Sequence, residues 1–229
     1  MRLCKLALAV GVVALLASPV LAQPGRGGGG RGMMANIGFL VRNKSVQEEL
    51  KIDEDQAKKV TTALDKVRED NKDDFDKLRN RDTKPEERAE IMKKVEPLNE
   101  KALKDVLKAD QLKRLHQIRH QVQGVAMFED EGVRKTLKLS DKQKDEIKDI
   151  EKDLKKERDA IFPPGEKPDF SKFQENMKKV QGLEKDAMTS AKKILNDDQK
   201  KQFEELTGKP FELKMEFGKP GGGKPRSDF

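Results

Sequence analysis

The feature that most constrains this chain is a self-similarity with a period near 87 residues. Residues 46–56, VQEELKIDEDQ, return as residues 133–143, VRKTLKLSDKQ, so that Val46, Leu50, Ile52 and Gln56 meet Val133, Leu137, Leu139 and Gln143. At the same offset Val60, Val67 and Phe75 meet Ile147, Leu154 and Phe162. Further on, Leu107, Gln111, Leu115 and Ile118 meet Leu195, Gln199, Phe203 and Leu206 at an offset of 88, a change that one inserted residue explains. A period of this length predicts one folding unit used twice, over residues 35–124 and 125–217.

Each unit reads as helical. Ala57, Val60, Leu64, Val67, Asn71 and Leu78 follow three-four spacing, which gathers them on one side of a helix and leaves the intervening Lys, Asp and Glu in water. Ile147, Ile150, Leu154 and Ile161 repeat the pattern up to Pro163 and Pro164, which cannot continue a helix. A second long helix is expected over residues 86–107, bent at Pro97, and over residues 173–195. Shorter helices over 109–123 and 197–206 close the units at Gly124 and Gly208. The predicted fold is all-α: two tandem helical hairpins with long, amphipathic, coiled-coil-like helices whose seams a homodimer would bury further.

Composition agrees with thin cores. Charged residues are 40% and hydrophobic ones 34% of the 229 residues, too few apolar side chains to fill a thick spherical interior. The net charge of +7 belongs to the ends: Arg2, Lys5, Arg26 and Arg31 lie before the first unit, and Lys219, Lys224, Arg226 and Asp228 after the second, leaving the body at about +1. Such a body offers no basic face for nucleic acid, so none is expected as a partner.

Residues 1–22 have the layout of a secretory signal: Arg2 and Lys5, an apolar run from Leu6 to Leu16, and small residues closing at Ala22. Cleavage there removes Cys4, the single cysteine, and predicts a periplasmic or secreted protein with no disulfide. Residues 23–34 and 218–229 read as disordered Gly-rich basic tails, able to make a weak contact with the cell envelope. Residues 211–217, FELKMEF, alternate with period two and are expected as an extended segment lying on the helices or as a free edge.

One short pattern occurs four times: an apolar residue, a cap, two more residues and Gln, at Ile52–Gln56, Leu107–Gln111, Leu139–Gln143 and Leu195–Gln199. Asp53, Ser140 and Asn196 can accept from the free N–H groups of a first helical turn, and Gln three positions on can reach back to the N–H of the cap. Lys108 has no acceptor, so that helix start is expected to be weak or absent. The pattern resembles the LTxxQ motif of the exported, helical spheroplast protein Y and CpxP-like family, here in a duplicated form similar to uncharacterised exported proteins of planctomycete-type bacteria. The resemblance implies a small all-helical extracytoplasmic protein that binds other proteins, either unfolded clients or an envelope sensor.

No P-loop, nucleophile elbow, dinucleotide fingerprint or zinc-finger spacing occurs, and the carboxylates fall on solvated helix faces at charge-pairing distances. We therefore expect no catalytic residues, no cofactor and no resident metal. His116 and His120 stand four apart, a spacing that lets both rings face one ion, but no third ligand is placed by spacing and the second unit carries Glu204 and Gly208 at the matching positions. The expected function is a non-enzymatic holdase or envelope-stress adaptor presenting Phe39, Met127, Phe128, Phe211 and Met215 on a charged frame. Its rivals are a structural coiled-coil spacer of the envelope and a metal-sensing module.

Overall fold

The computed structural model describes residues 34–80, 82–163 and 171–214; the expected export signal over 1–22, the expected tails over 23–33 and 218–229, and Met215 to Phe217 lie outside them. The described chain is all-helical. Its elements are α1 (Ile37–Leu40), α2 (Lys44–Glu49), α3 (Glu54–Asp70), α4 (Lys72–Arg79), α5 (Pro85–Lys104), α6 (Ala109–Gln123), a 3-10 helix (Gly124–Glu129), α7 (Glu131–Leu137), α8 (Asp141–Ile161), α9 (Phe173–Ile194) and α10 (Asp197–Thr207). Among these residues no helix is long and apolar enough to cross a membrane.

Two hairpins result, α3 with α4 returning along α5, and α8 returning along α9. Pro97 lies inside α5 without ending it. The first outgoing helix is not continuous to Leu78 as its spacing suggests. It stops at Asn71, whose backbone leaves the helical region (φ −124, ψ 36) and whose side-chain amide donates to the Val67 carbonyl at 2.8 Å. An Asn side chain competing for the carbonyl of its own preceding turn is a local alternative to helix propagation.

Two apolar cores form. The first gathers Leu40, Val46, Val60, Leu64, Leu103 and Leu115 with residues of α1, α2 and α6, and it also takes Leu213 from the far end of the described chain. The second gathers Met127, Phe128, Leu137, Ile147, Ala191 and Phe203. Phe128 and Phe203 stack with centroids 5.8 Å apart, and the Lys192 ammonium lies 4.8 Å from the Phe203 ring centre. Met127 and Phe128 are thus fully buried, not presented to solvent. They follow the helix-ending Gly124, where the chain turns at φ 60 into the 3-10 helix and drives both side chains into the second core.

Three short helices, α1, α2 and α7, carry too few turns for a three-four pattern to announce them. Just past the last two stand Lys51 (φ 53) and Lys138 (φ 49), non-glycine residues in the left-handed region and again 87 residues apart.

Candidate functional site

The recurring Gln is more than a cap. Asp53, Ser140 and Asn196 do accept from the backbone N–H of Gln56, Gln143 and Gln199, at 2.7, 3.3 and 2.9 Å. Beyond that, the four Gln side chains pair between helix starts, α3 with α6 and α8 with α10. Gln56 Nε2 donates to Gln111 Oε1 at 2.7 Å and Gln111 Nε2 returns to Gln56 Oε1 at 3.0 Å. Gln143 and Gln199 make the same reciprocal pair at 2.7 and 3.0 Å. The remaining amide protons go to main-chain carbonyls: Gln56 to Val106 and Gln111 to Leu50, Gln143 to Ile194 and Gln199 to Leu137, each at 3.0 Å. Each pair therefore fastens the start of one helix to the start of another and satisfies polar atoms that burial would otherwise leave unpaired. A capping-box reading of the sequence finds the local half of this arrangement; the other half depends on where the two helix starts meet in space.

Lys108 behaves as its chemistry requires. Its side chain makes no capping bond, and α6 nevertheless starts at Ala109, with Gln111 Oε1 accepting from Lys108 N–H at 2.9 Å.

The two hairpins meet where α6 packs on α10. The last carbonyls of α10 have no acceptor role inside their own helix, and α6 supplies donors to them. Gln117 Nε2 reaches the Glu205 carbonyl at 2.9 Å, His120 Nδ1 the Leu206 carbonyl at 2.8 Å, and Gln121 Nε2 the Thr207 carbonyl at 2.5 Å. A carbonyl can only accept, so His120 carries its proton on Nδ1. Burial holds the His120 imidazole below its ordinary range, against the opposing pull of that carbonyl. His116 is lowered by burial too, opposed by Glu100, whose Oε1 lies 3.8 Å from Nε2. The spacing of the two histidines thus serves an interhelical contact on one ring and a carboxylate neighbour on the other. Among the described residues no group of three His, Cys, Asp or Glu could hold a metal ion.

Next to this interface lies a polar cluster. Glu96 accepts from the Ile37 N–H at 3.2 Å and from the Asn36 amide, and Arg119 Nε stands 3.4 Å from it. Burial pushes the Glu96 carboxyl up, with Arg119 opposing. In the second hairpin, burial and the adjacent Glu129 push Glu151 up to about 8, so this carboxyl is largely protonated at neutral pH. Its Oε1 is buried without a hydrogen-bond partner. Sequence comparison holds the signal for this residue, because the position 87 residues earlier is the core residue Leu64.

The chain after α10 folds back onto the first hairpin. Gly208, at φ +62, makes the turn, and the segment 209–214 then lies along α6 and α2. Gln121 grips it with both ends of its amide: Nε2 donates to the Lys209 carbonyl at 2.7 Å, and Oε1 accepts from Phe211 N–H at 2.8 Å. Arg114 Nη1 donates to the same Lys209 carbonyl at 2.9 Å. At the other end, Asn43 Nδ2 donates to the Lys214 carbonyl at 2.8 Å and Lys214 N–H donates to Ser45 Oγ at 3.2 Å. Phe211 is half-buried and Leu213 buried against the first core, while Glu212 and Lys214 are exposed. Of the five apolar residues expected on the surface, Phe39 is exposed at 37%, Phe211 is half-buried, Met127 and Phe128 are buried in the second core, and Met215 lies outside the described residues.

Compared with known proteins, the chain matches no family model, no curated protein and no solved structure.

Proposed function

We propose that this chain is an exported, non-enzymatic helical protein that holds other proteins, as an ATP-independent holdase or an envelope-stress adaptor. The observation that carries the reading is the condition of the hairpin ends. In the outer parts of the arms Phe75, Leu78, Ile161, Phe162 and Met177 are half-buried and belong to neither core. Apolar surface left partly open on a highly charged frame can hold an exposed apolar segment while the charge keeps the complex in solution.

On this reading the two hairpins are tandem copies of one unit of the LTxxQ kind. Support comes from the four motif Gln residues, which make matching amide pairs, and from Lys51 and Lys138, which share an unusual backbone conformation. Residues 1–22 act as a cleaved export signal, and the Gly-rich tails act as basic spacers near the envelope.

The test uses the exported chain, residues 23–229, against a reduced or heated client. Equimolar protein is expected to delay light scattering by aggregating client, and no delay at a fivefold excess would end the holdase reading. A spacer reading draws on the same half-covered arms, which a second copy would cover equally well. Light scattering that shows a tight dimer with no client effect would favour the spacer.

A further inference from the structure

The clasp on residues 209–214 has the character of a peptide complex made within one chain. Five side-chain contacts from Asn43, Ser45, Arg114 and Gln121 address the main chain of the segment, and two of its side chains, at alternate positions, point into apolar surface. Main-chain atoms are common to every sequence, so such a grip selects an extended backbone and an apolar alternation, and it tolerates any residue at the outward positions. Pro210 has no N–H to place, and the grip asks none of it.

We propose that the groove of the first hairpin, between α6 and the start of α2, is a binding site for extended polypeptide segments with apolar residues at alternate positions, and that residues 209–214 occupy it in cis. This inference rests on the protein-holding reading above and names the surface used. Such segments are the exposed strands of a non-native protein. The native tail is tethered, so its effective concentration at the groove is of the order of millimolar, and a foreign segment enters only in competition with it. Occupancy by the tail thereby keeps the groove closed to weak ligands and opens it to apolar segments presented at high local density.

The experiment uses the exported chain carrying Phe211→Ser and Leu213→Ser, which leaves the main chain intact and removes the inward side chains. The probe is a fluorescein-labelled peptide KPFELKMEF, the sequence of residues 209–217, followed by anisotropy. The double variant is expected to bind the peptide at least tenfold more tightly than the unsubstituted chain, and adding Gln121→Ala is expected to weaken that binding at least tenfold with helix content unchanged. A folded double variant that does not bind the peptide would overturn the proposal, as would equal binding by variant and parent. Loss of helical structure in the double variant would also overturn it, since the segment would then be an integral part of the core. The two readings fail separately. Peptide binding without any delay of client aggregation leaves the groove standing and removes the holdase, whereas client protection that the peptide cannot compete away leaves the holdase and removes this groove.

Discussion

The two hairpins carry the same amide locks and differ in what stands beside them. On the core-facing stripe of the outgoing helix, the first hairpin has Leu64, buried among Val60, Leu103 and Leu115; 87 residues on, the second has Glu151, raised to about 8 beside Glu129. The first outgoing helix breaks at Asn71, and the second runs unbroken from Asp141 to Ile161. The first core is sealed by a segment arriving from the end of the second hairpin, and the second core by the 3-10 helix leaving the first. What the difference teaches is that the locks fix how the hairpin helices begin, while the stripe residues beyond them are free to change from apolar packing to a titratable pair.

If the locks are equivalent, breaking either should cost the same, and this is the largest effect expected. Gln199→Ala removes the return bond to Gln143 and leaves the Leu137 carbonyl without that donor; Gln111→Ala does the same to Gln56 and Leu50. Each should lose about 3 kcal/mol in urea unfolding, the cost of buried polar groups left unpaired. A difference greater than about 1 kcal/mol between the two would show that the hairpins do not share the lock energetically.

Gly208→Ala probes the joint between hairpins. Its φ of +62 disfavours any side chain, and an added Cβ would stand 2.2 Å from Gln117 Oε1, so the contact of Gln117 with the Glu205 carbonyl must be given up. A loss of about 2 kcal/mol is expected, from left-handed strain together with a broken interhelical bond. An unchanged melting temperature would mean that neither the left-handed turn at Gly208 nor the Gln117 contact with the Glu205 carbonyl contributes to stability.

The titratable groups give the second hairpin an alkaline limit through Glu151, and the first an acid limit through its histidines beside a smaller alkaline contribution from the raised Glu96. A carboxyl raised in the folded state contributes stability that is intact below its unfolded value and lost as pH rises through the folded one, so the penalty at Glu151 grows from about pH 5 to pH 8. Glu151→Leu, which installs the residue of the first hairpin, should stabilise the chain at pH 9 by about 1–2 kcal/mol, discounted because the group is partly open to water, and should flatten the alkaline limb. The lowered histidines of α6 work the other way: stability is lost as pH falls below their ordinary value, since the unfolded chain then binds the extra protons. Melting curves from pH 5 to 9 check both limbs, and an alkaline limb unaltered by Glu151→Leu would remove Glu151 as its source.

How much of this was legible in the sequence follows from the range of each interaction. Helix starts at Asp53, Ser140 and Asn196 and the glycine stops at 124 and 208 depend on neighbours a few residues away, and the residues state them directly. The pairing of Gln56 with Gln111 joins residues 55 apart, and no local pattern carries that. Met127 and Phe128 read as exposed because thin hairpin cores offer no evident place for them; only the arrangement of α7, α9 and α10 around them turns that linker into core. The four-residue spacing of His116 and His120 could not reveal that one ring is already committed to a carbonyl of another hairpin. The clasp on residues 209–214 was half visible: the period-two alternation over 211–217 allowed an extended segment on the helices or a free edge, and did not say which, nor which surface would receive it.

The smallest effect concerns Lys108, the single motif position where the hairpins differ in capping chemistry. Its backbone (φ −69, ψ 158) already matches that of Ser140 (φ −67, ψ 160), and Gln111 already accepts from its N–H as Gln143 does from Ser140. What is missing is an acceptor for the Gln111 backbone N–H, which an ammonium cannot provide. Lys108→Ser supplies a hydroxyl there without asking the chain to move, so it should stabilise the first hairpin by about 1 kcal/mol, the ordinary worth of such a cap. Ser140→Lys should cost the second hairpin a similar amount. If Lys108→Ser gains nothing while Ser140→Lys still costs, then the first turn of α6 is fixed without a cap whereas that of α8 needs one, and two equally closed locks do not make their helix starts equally independent of the cap.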